Sequence, residues 1–271
     1  MSEPLVVEVC GVGLLGPGLT DWTNGQDLLR EPSRWSPSAT PLAAPALLPP
    51  AERRRAGAIV KLTLAVAEQA CAQAGIDPQG LATVFTSSSG DAANCHALCE
   101  ALAAAERLVS PTRFTNSVHN AAAGYWHIAT ASRAPSTSLC GHDASFAAGL
   151  LEAVVQCVAW QRPVLLVAGD VPYPEPLQRA RPLPDAFALA LLLAPPSGAS
   201  AAAQLSLRFG SDLQGHAQGD ERFDALRLGV PAARGLPLLQ ALARRESATL
   251  RLDDLAHCPF SIDLAFRETT S

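Results

Sequence analysis

The chain has 271 residues, 48% of them hydrophobic, and a formal net charge of −5. That is enough apolar material for one large domain with a sizeable core. The only basic run is Arg53-Arg54-Arg55, which argues against nucleic acid as a partner. Met1-Ser2-Glu3-Pro4 is polar, so no secretory leader is read, and no segment is expected to reach the length of a membrane span.

Seven cysteines make an odd number, with no paired C-x-x-C. Cys95 and Cys99 flank His96, but no further ligand stands at zinc-site spacing. The cysteines read as reduced thiols and the protein as cytoplasmic, with no metal and no cofactor.

In chain order, Leu5–Val9 predicts a strand. Gly11, Gly13, Gly16 and Gly18 then read as a loose glycine-rich turn, off the G-x-G-x-x-G spacing of a dinucleotide site. Pro17 and Asp21-Trp22 suggest a surface loop. Residues 31–50 hold six prolines and read as irregular. Ala56–Ala74 predicts a helix stopped by Gly75. Leu81–Thr86 predicts a strand, with Ser87-Ser88-Ser89-Gly90 as a loop that is either ordinary or an anion site.

Asp91–Leu108 follows as a helix, 109–116 as an extended stretch, and Val118–Ser132 as a helix. Further strands are expected at Thr137–Leu139, Pro163–Ala168 and Phe187–Leu193, and a helix at Ser145–Trp160. Gln204–Phe209, Leu236–Arg245 and Ala248–Leu252 read as strand, helix and strand. Strands that are apolar throughout and alternate with helices indicate an α/β fold, its sheet buried on both faces.

The stretch "PSTSLCGHDASFAAGLLEA", residues 135–153, has a strand–turn–helix pattern. From Ala144 to Val158 only Ser145, Glu152 and Gln156 are polar, so this helix is buried between layers. Its N-terminus is a strong position for chemistry, because it favours anions and activates thiols. Cys140, His142, Asp143 and Ser145 all lie in the turn.

Six motifs, in order over residues 4–195, resemble the N-terminal half of the β-ketoacyl synthases: "VVEVCGVGLLGPG", "RRRAGAIVKLTLAVAEQACAQAGID", "VFTSSSGD", "SVHNAAAGYWHIATASRAPSTSL", "VLLVAGDVP" and "DAFALALLLAP". The resemblance implies a thiolase-like (half-thiolase) α/β fold. Its mixed, mostly parallel sheet would lie between helical layers around a central buried helix. Residues 1–195 would be the synthase-like domain and 196–271 the remnant of a second half.

The family's nucleophile is the Cys of a Thr-Ala-Cys-Ser-Ser type motif. Counted from Pro135-Ser136, that position is Asp143. Cys140 stands three residues early, about 10 Å of strand away. Asp143 cannot form a thioester, and it is expected instead to cap the buried helix. The family's two catalytic histidines also lack counterparts, since His216 and His257 sit in other contexts.

A chain without this machinery resembles the chain-length factors, above all the short ones beside aryl-polyene and xanthomonadin-type synthases. The resemblance then implies a non-catalytic subunit that heterodimerises with a full-length ketosynthase, shapes its acyl tunnel, and meets the acyl carrier protein only indirectly. The expected interface and gating residues are Arg113, Phe114, Asn116, His119, Asn120, Tyr125, Trp126, Pro135 and Ser136. Read from the residues alone, Tyr125 and Trp126 are more often packing or interface residues than tunnel lining, and His119 and His127 more often hydrogen-bonding groups of a core or interface than catalytic ones. Two alternatives stay open: an autonomous acyl-processing enzyme with Cys140 as nucleophile, and a purely stabilising paralogue.

Overall fold

The computed structural model describes residues 3–196, 203–209, 219–252, 255 and 258–266. The first strand, β1 (Leu5–Leu15), does not stop at Val9. It passes through the supposed glycine turn, and a bulge between Val9 and Gly11 absorbs Cys10. The glycines serve a different purpose there. A Cβ on Gly11 would run into the Ala70 carbonyl oxygen, and one on Gly13 into that of Val66. Their absence lets a helix lie directly on the strand. The tight turn comes later, where Gly16 and Leu19 exchange backbone hydrogen bonds of 2.8 and 2.9 Å.

Asp21-Trp22 is not a loop. Asp21 caps helix α1 (Trp22–Arg30) by accepting from the Asn24 amide. The proline-rich stretch is irregular as read, apart from a short 3₁₀ turn at Pro32–Arg34, and ends in α2 (Pro50–Arg55). The long helix α3 (Ala58–Ala74) ends on Gly75 in the left-handed conformation, φ 63°. It rests on β1 and supplies something a neighbouring strand would otherwise give. The Val12 amide donates to Gln73 Oε1 at 2.6 Å, and the Leu14 amide to Gln69 Oε1 at 3.0 Å.

Strand β2 (Ala82–Thr86) leads to α4 (Ala92–Ala103), capped by Asp91 and shorter than expected. The stretch read as extended contains a helix, α5 (Pro111–Thr115), because Ser110 accepts from the Arg113 amide and Pro111 fits its first turn. Then come α6 (Ala121–Thr130), β3 (Ser136–Leu139) and α7 (Ser145–Trp160), the last with the bounds read from sequence. Strand β4 (Val164–Asp170), helix α8 (Leu177–Ala180) and strand β5 (Phe187–Ala194) follow. The remainder holds β6 (Ala203–Phe209), α9 (Asp224–Gly229), α10 (Leu236–Arg244), β7 (Ala248–Leu252) and β8 (Phe260–Ala265).

The eight strands form one sheet in the order β3-β2-β4-β5-β1-β6-β8-β7. It is mixed, as expected, but not mostly parallel. Only β2–β3 and β2–β4 are parallel, and the other five pairings are antiparallel. Unbroken apolar strands report burial on both faces, and they say nothing about strand direction. Both faces are indeed buried. Leu189, Leu191 and Leu193 of β5 point into one cluster with α7, whereas Ala188, Ala190 and Leu192 point into the other with α3.

Helix α7 is enclosed from two sides. A Cβ on Gly149 would stand 2.6 Å from Thr86 Cγ2 of β2, and one on Gly235 2.8 Å from the Phe146 ring. The sheet and the 3₁₀ segment Pro231–Gly235 therefore press on α7 directly. Residues 142–160 are long and apolar enough to cross a membrane, against the sequence expectation, but more than half of that segment is buried in the fold.

The α3–β1 contact yields a test. Gly13→Ala is expected to lower stability by more than about 2 kcal/mol through overpacking. Gly124→Ala, on a helix face with open space around it, should leave stability unchanged or raise it. The midpoints of urea denaturation check both.

Candidate functional site

The site is built on the turn between β3 and α7. Its backbone is closed by its own groups. Ser145 Oγ donates to the His142 carbonyl at 2.7 Å and accepts from the Gly141 amide at 3.1 Å. The Ala144 amide donates to the Gly141 carbonyl at 2.9 Å. His142 takes a left-handed conformation, φ 54°, which turns the chain sharply.

These bonds leave no capping role for Asp143, and that expectation is corrected. The N-cap of α7 is Ala144, without a side-chain cap bond. The Asp143 carboxylate turns outward to Arg181, whose Nη2 donates to its Oδ1. His142 Nδ1 lies 3.5 Å from the other carboxylate oxygen.

Arg181 joins the turn to the next loop. Its Nη1 donates to the Tyr173 hydroxyl at 2.9 Å, and its guanidinium lies 5.7 Å from the centre of the Tyr173 ring. The Tyr173 hydroxyl meets Ser88 Oγ at 2.9 Å. Below it, Asp170 at the end of β4 is 1% exposed. Asp170 Oδ1 accepts from the Ser88 amide at 2.7 Å and from Ser87 Oγ at 3.1 Å, and its Oδ2 accepts from the Ala232 amide at 2.9 Å. Burial raises the Asp170 pKa, against the pull of these hydrogen bonds. Sequence reasoning missed Asp170. Its signal was one acid ending an otherwise apolar strand, "VLLVAGD".

Cys140 is exposed, and its Sγ donates to the Ser88 carbonyl at 3.2 Å. Among the described residues no base is hydrogen-bonded to it. The Ser87–Ser89 loop is internally satisfied: Ser87 Oγ accepts from the Gly90 amide at 3.1 Å while donating to Asp170. His216 and His257 lie outside the described residues.

The expected interface residues separate into two groups. Strand β3 forms the end of the sheet, and among the described residues its only ladder is with β2. A groove of about 520 Å³ runs between β3 and α6, lined by His119, Asn120, His127, Ser136 and Ser138. Pro135, beside it, accepts at its carbonyl oxygen from the Thr83 amide. His119 Nε2 lies 3.2 Å from the Ser87 carbonyl oxygen. On α5, Phe114 is 68% exposed, and Arg113 is exposed with its carbonyl held by Asn94 Nδ2 at 2.8 Å. Val118 and Ile128 add exposed apolar surface nearby in sequence.

Tyr125 and Trp126 fall in the second group. Both are buried in the cluster between α6 and α3, which takes them off the exposed surface. Asn116 ties α5 to that cluster through Nδ2 and the Tyr125 hydroxyl at 3.1 Å.

A family model described as beta-ketoacyl synthase, N-terminal domain, matches residues 22–256. No curated protein matches. Solved structures with the same fold include the ketosynthase ApeO in complex with its chain length factor ApeC from Xenorhabdus doucetiae. That match has 22% identity and a TM-score of 0.70, and covers 95% of this chain and 99% of that one. The ishigamide ketosynthase/chain length factor matches at 13% identity and TM-score 0.69, over 97% and 99% of the two chains. A beta-ketoacyl synthase from Burkholderia phymatum matches at 14% identity and TM-score 0.69, over 99% and 100%.

Asp170 supplies the prediction for this site. Asp170→Ala strands two buried amides and should cost about 2–5 kcal/mol. The folded state holds the Asp170 proton more tightly than the unfolded chain, so this group's contribution to stability falls as pH rises through the raised folded value. Asp170→Asn should flatten that part of the stability–pH profile, measured by denaturation across the acid range.

Proposed function

The chain belongs to the β-ketoacyl synthase N-terminal domain family, and we propose that it acts there as a non-catalytic, chain-length-factor-like subunit. It would form a heterodimer with a full-length ketosynthase in polyene, polyketide or fatty-acid-type chain elongation. One observation carries the reading: the position read as the nucleophile's holds a carboxylate, and that carboxylate is engaged by Arg181. A carboxylate can neither hold the growing acyl chain as a thioester nor be displaced from Arg181 without loss of the ion pair.

The partner-facing side has support of its own. An unpaired edge strand is a hazard unless something covers it. β3 is such an edge with a polar groove beside it, and the 114–128 segment, part of which lines that groove, exposes Phe114, Val118 and Ile128. In the proposed role, β3 and α6 meet the partner, and Phe114 with Arg113 on α5 reach toward its acyl tunnel. Asn116, His119, Asn120, Pro135 and Ser136 position that surface. The carrier protein would dock on the catalytic partner. The same role would place the protein in the cytoplasm, with residues 196–271 as the remnant of a second half.

Co-expression with a full-length ketosynthase tests the assembly. A one-to-one complex, with this chain aggregating when produced alone, is the expected outcome; a well-behaved monomer indifferent to ketosynthases overturns it. Phe114→Ala combined with Arg113→Ala should shift product length in the reconstituted complex. Unchanged products would leave only a stabilising role. Rapid iodoacetamide labelling of Cys140, with loss of a condensation or thioesterase activity of the isolated chain, would establish the enzyme alternative instead.

A further inference from the structure

The turn at the mouth of α7 and the loop after β4 are far apart in sequence, yet one side chain bridges them. Arg181 spans from Asp143 on the turn to Tyr173 on its own loop. Tyr173 passes the connection to Ser88, and Ser88 both donates its amide to buried Asp170 and accepts from Cys140. Three loops, after β2, after β3 and after β4, are thus joined in one hydrogen-bonded chain anchored in the core.

We propose that Asp143 and Arg181 form a positioning clamp that holds the 171–181 loop shut over the mouth of α7. The clamp ties the loop after β4 to the turn before α7, so that neither moves without the other. Three features fit that role. Arg181 engages its partners with two different nitrogens, which fixes its plane. Its guanidinium lies over the Tyr173 ring, so the loop is held by packing as well as charge. The cavities of about 520 and 420 Å³ have linings that include neither Asp143 nor Arg181. The clamp is independent of which partner the chain binds.

Backbone hydrogen exchange on the protein, in its complex if it has one, tests this directly. Arg181→Ala should raise exchange of amides 140–144 and 171–181 roughly three- to tenfold, with β5 unchanged. Arg181→Lys, which keeps the charge but not the two-pronged grip, should be intermediate. A bulky maleimide should also label Cys140 faster in Arg181→Ala than in the parent. Unchanged exchange at 140–144 in Arg181→Ala overturns the clamp. Because stability of the whole fold hardly depends on a half-exposed ion pair, these variants remain folded and readable.

Discussion

A carboxylate cut off from water sets the geometry of this protein's most distinctive region. Ionised in an apolar core, Asp170 would be strongly unfavourable by itself. It is tolerated because Ser87, Ser88 and Ala232 all donate to it. The donors belong to two separate commitments of the fold: two to the loop after β2, one to the 3₁₀ segment that covers α7. Fixing them fixes the floor beneath the β3–α7 turn. Ser88 then has one defined position from which to meet Tyr173 and Cys140, and through Tyr173 the position of Arg181 follows. The turn keeps its shape because of what lies under it.

This explains why the region looks like an active site while its reactive groups point elsewhere. Close packing of α7 demands a sharp entry, since Gly149 and Gly235 bring the sheet and the 231–235 segment against it. Ser145 closes that entry by bonding both sides of the turn. None of this requires a nucleophile. With the Gly141, Ala144 and Ser145 amides bonded within the turn, Asp143 is released from capping and takes a partner outside.

What was legible in the sequence follows period and composition. α7, β7 and the Gly75 stop of α3 were read correctly, because strong apolar runs and a left-handed glycine leave few alternatives. Strand direction was not legible, because burial on both faces gives parallel and antiparallel strands the same apolar composition. Gly11 and Gly13 were misread as a turn, since a glycine needed for close approach looks the same in sequence as one needed for a turn. Short helix α5 was hidden by the extended reading of its proline, although Ser110-Pro111 is a cap-and-first-turn signal. At the site, the odd position of Cys140 and the Asp at 143 could be read by register. Asp170 and Arg181 could not, because their roles depend on loops that meet only in three dimensions.

The two ends of the sheet carry the last consequence. β7 and β3 are both edges, but their surroundings differ. Beside β3 lies a groove of histidine, asparagine and serine, and the 114–128 segment that lines part of it exposes Phe114, Val118 and Ile128. A surface meant only for water does not gain from exposed large apolar side chains, whereas a surface meant only for a permanent apolar contact does not gain from a polar groove. The mixture suits a specific interface, with apolar anchors for affinity and polar groups for register. The clamp on the neighbouring turn serves the same end. As proposed, it would hold the loops after β2, β3 and β4 in one arrangement, so that less conformational freedom would be lost if this edge met a partner.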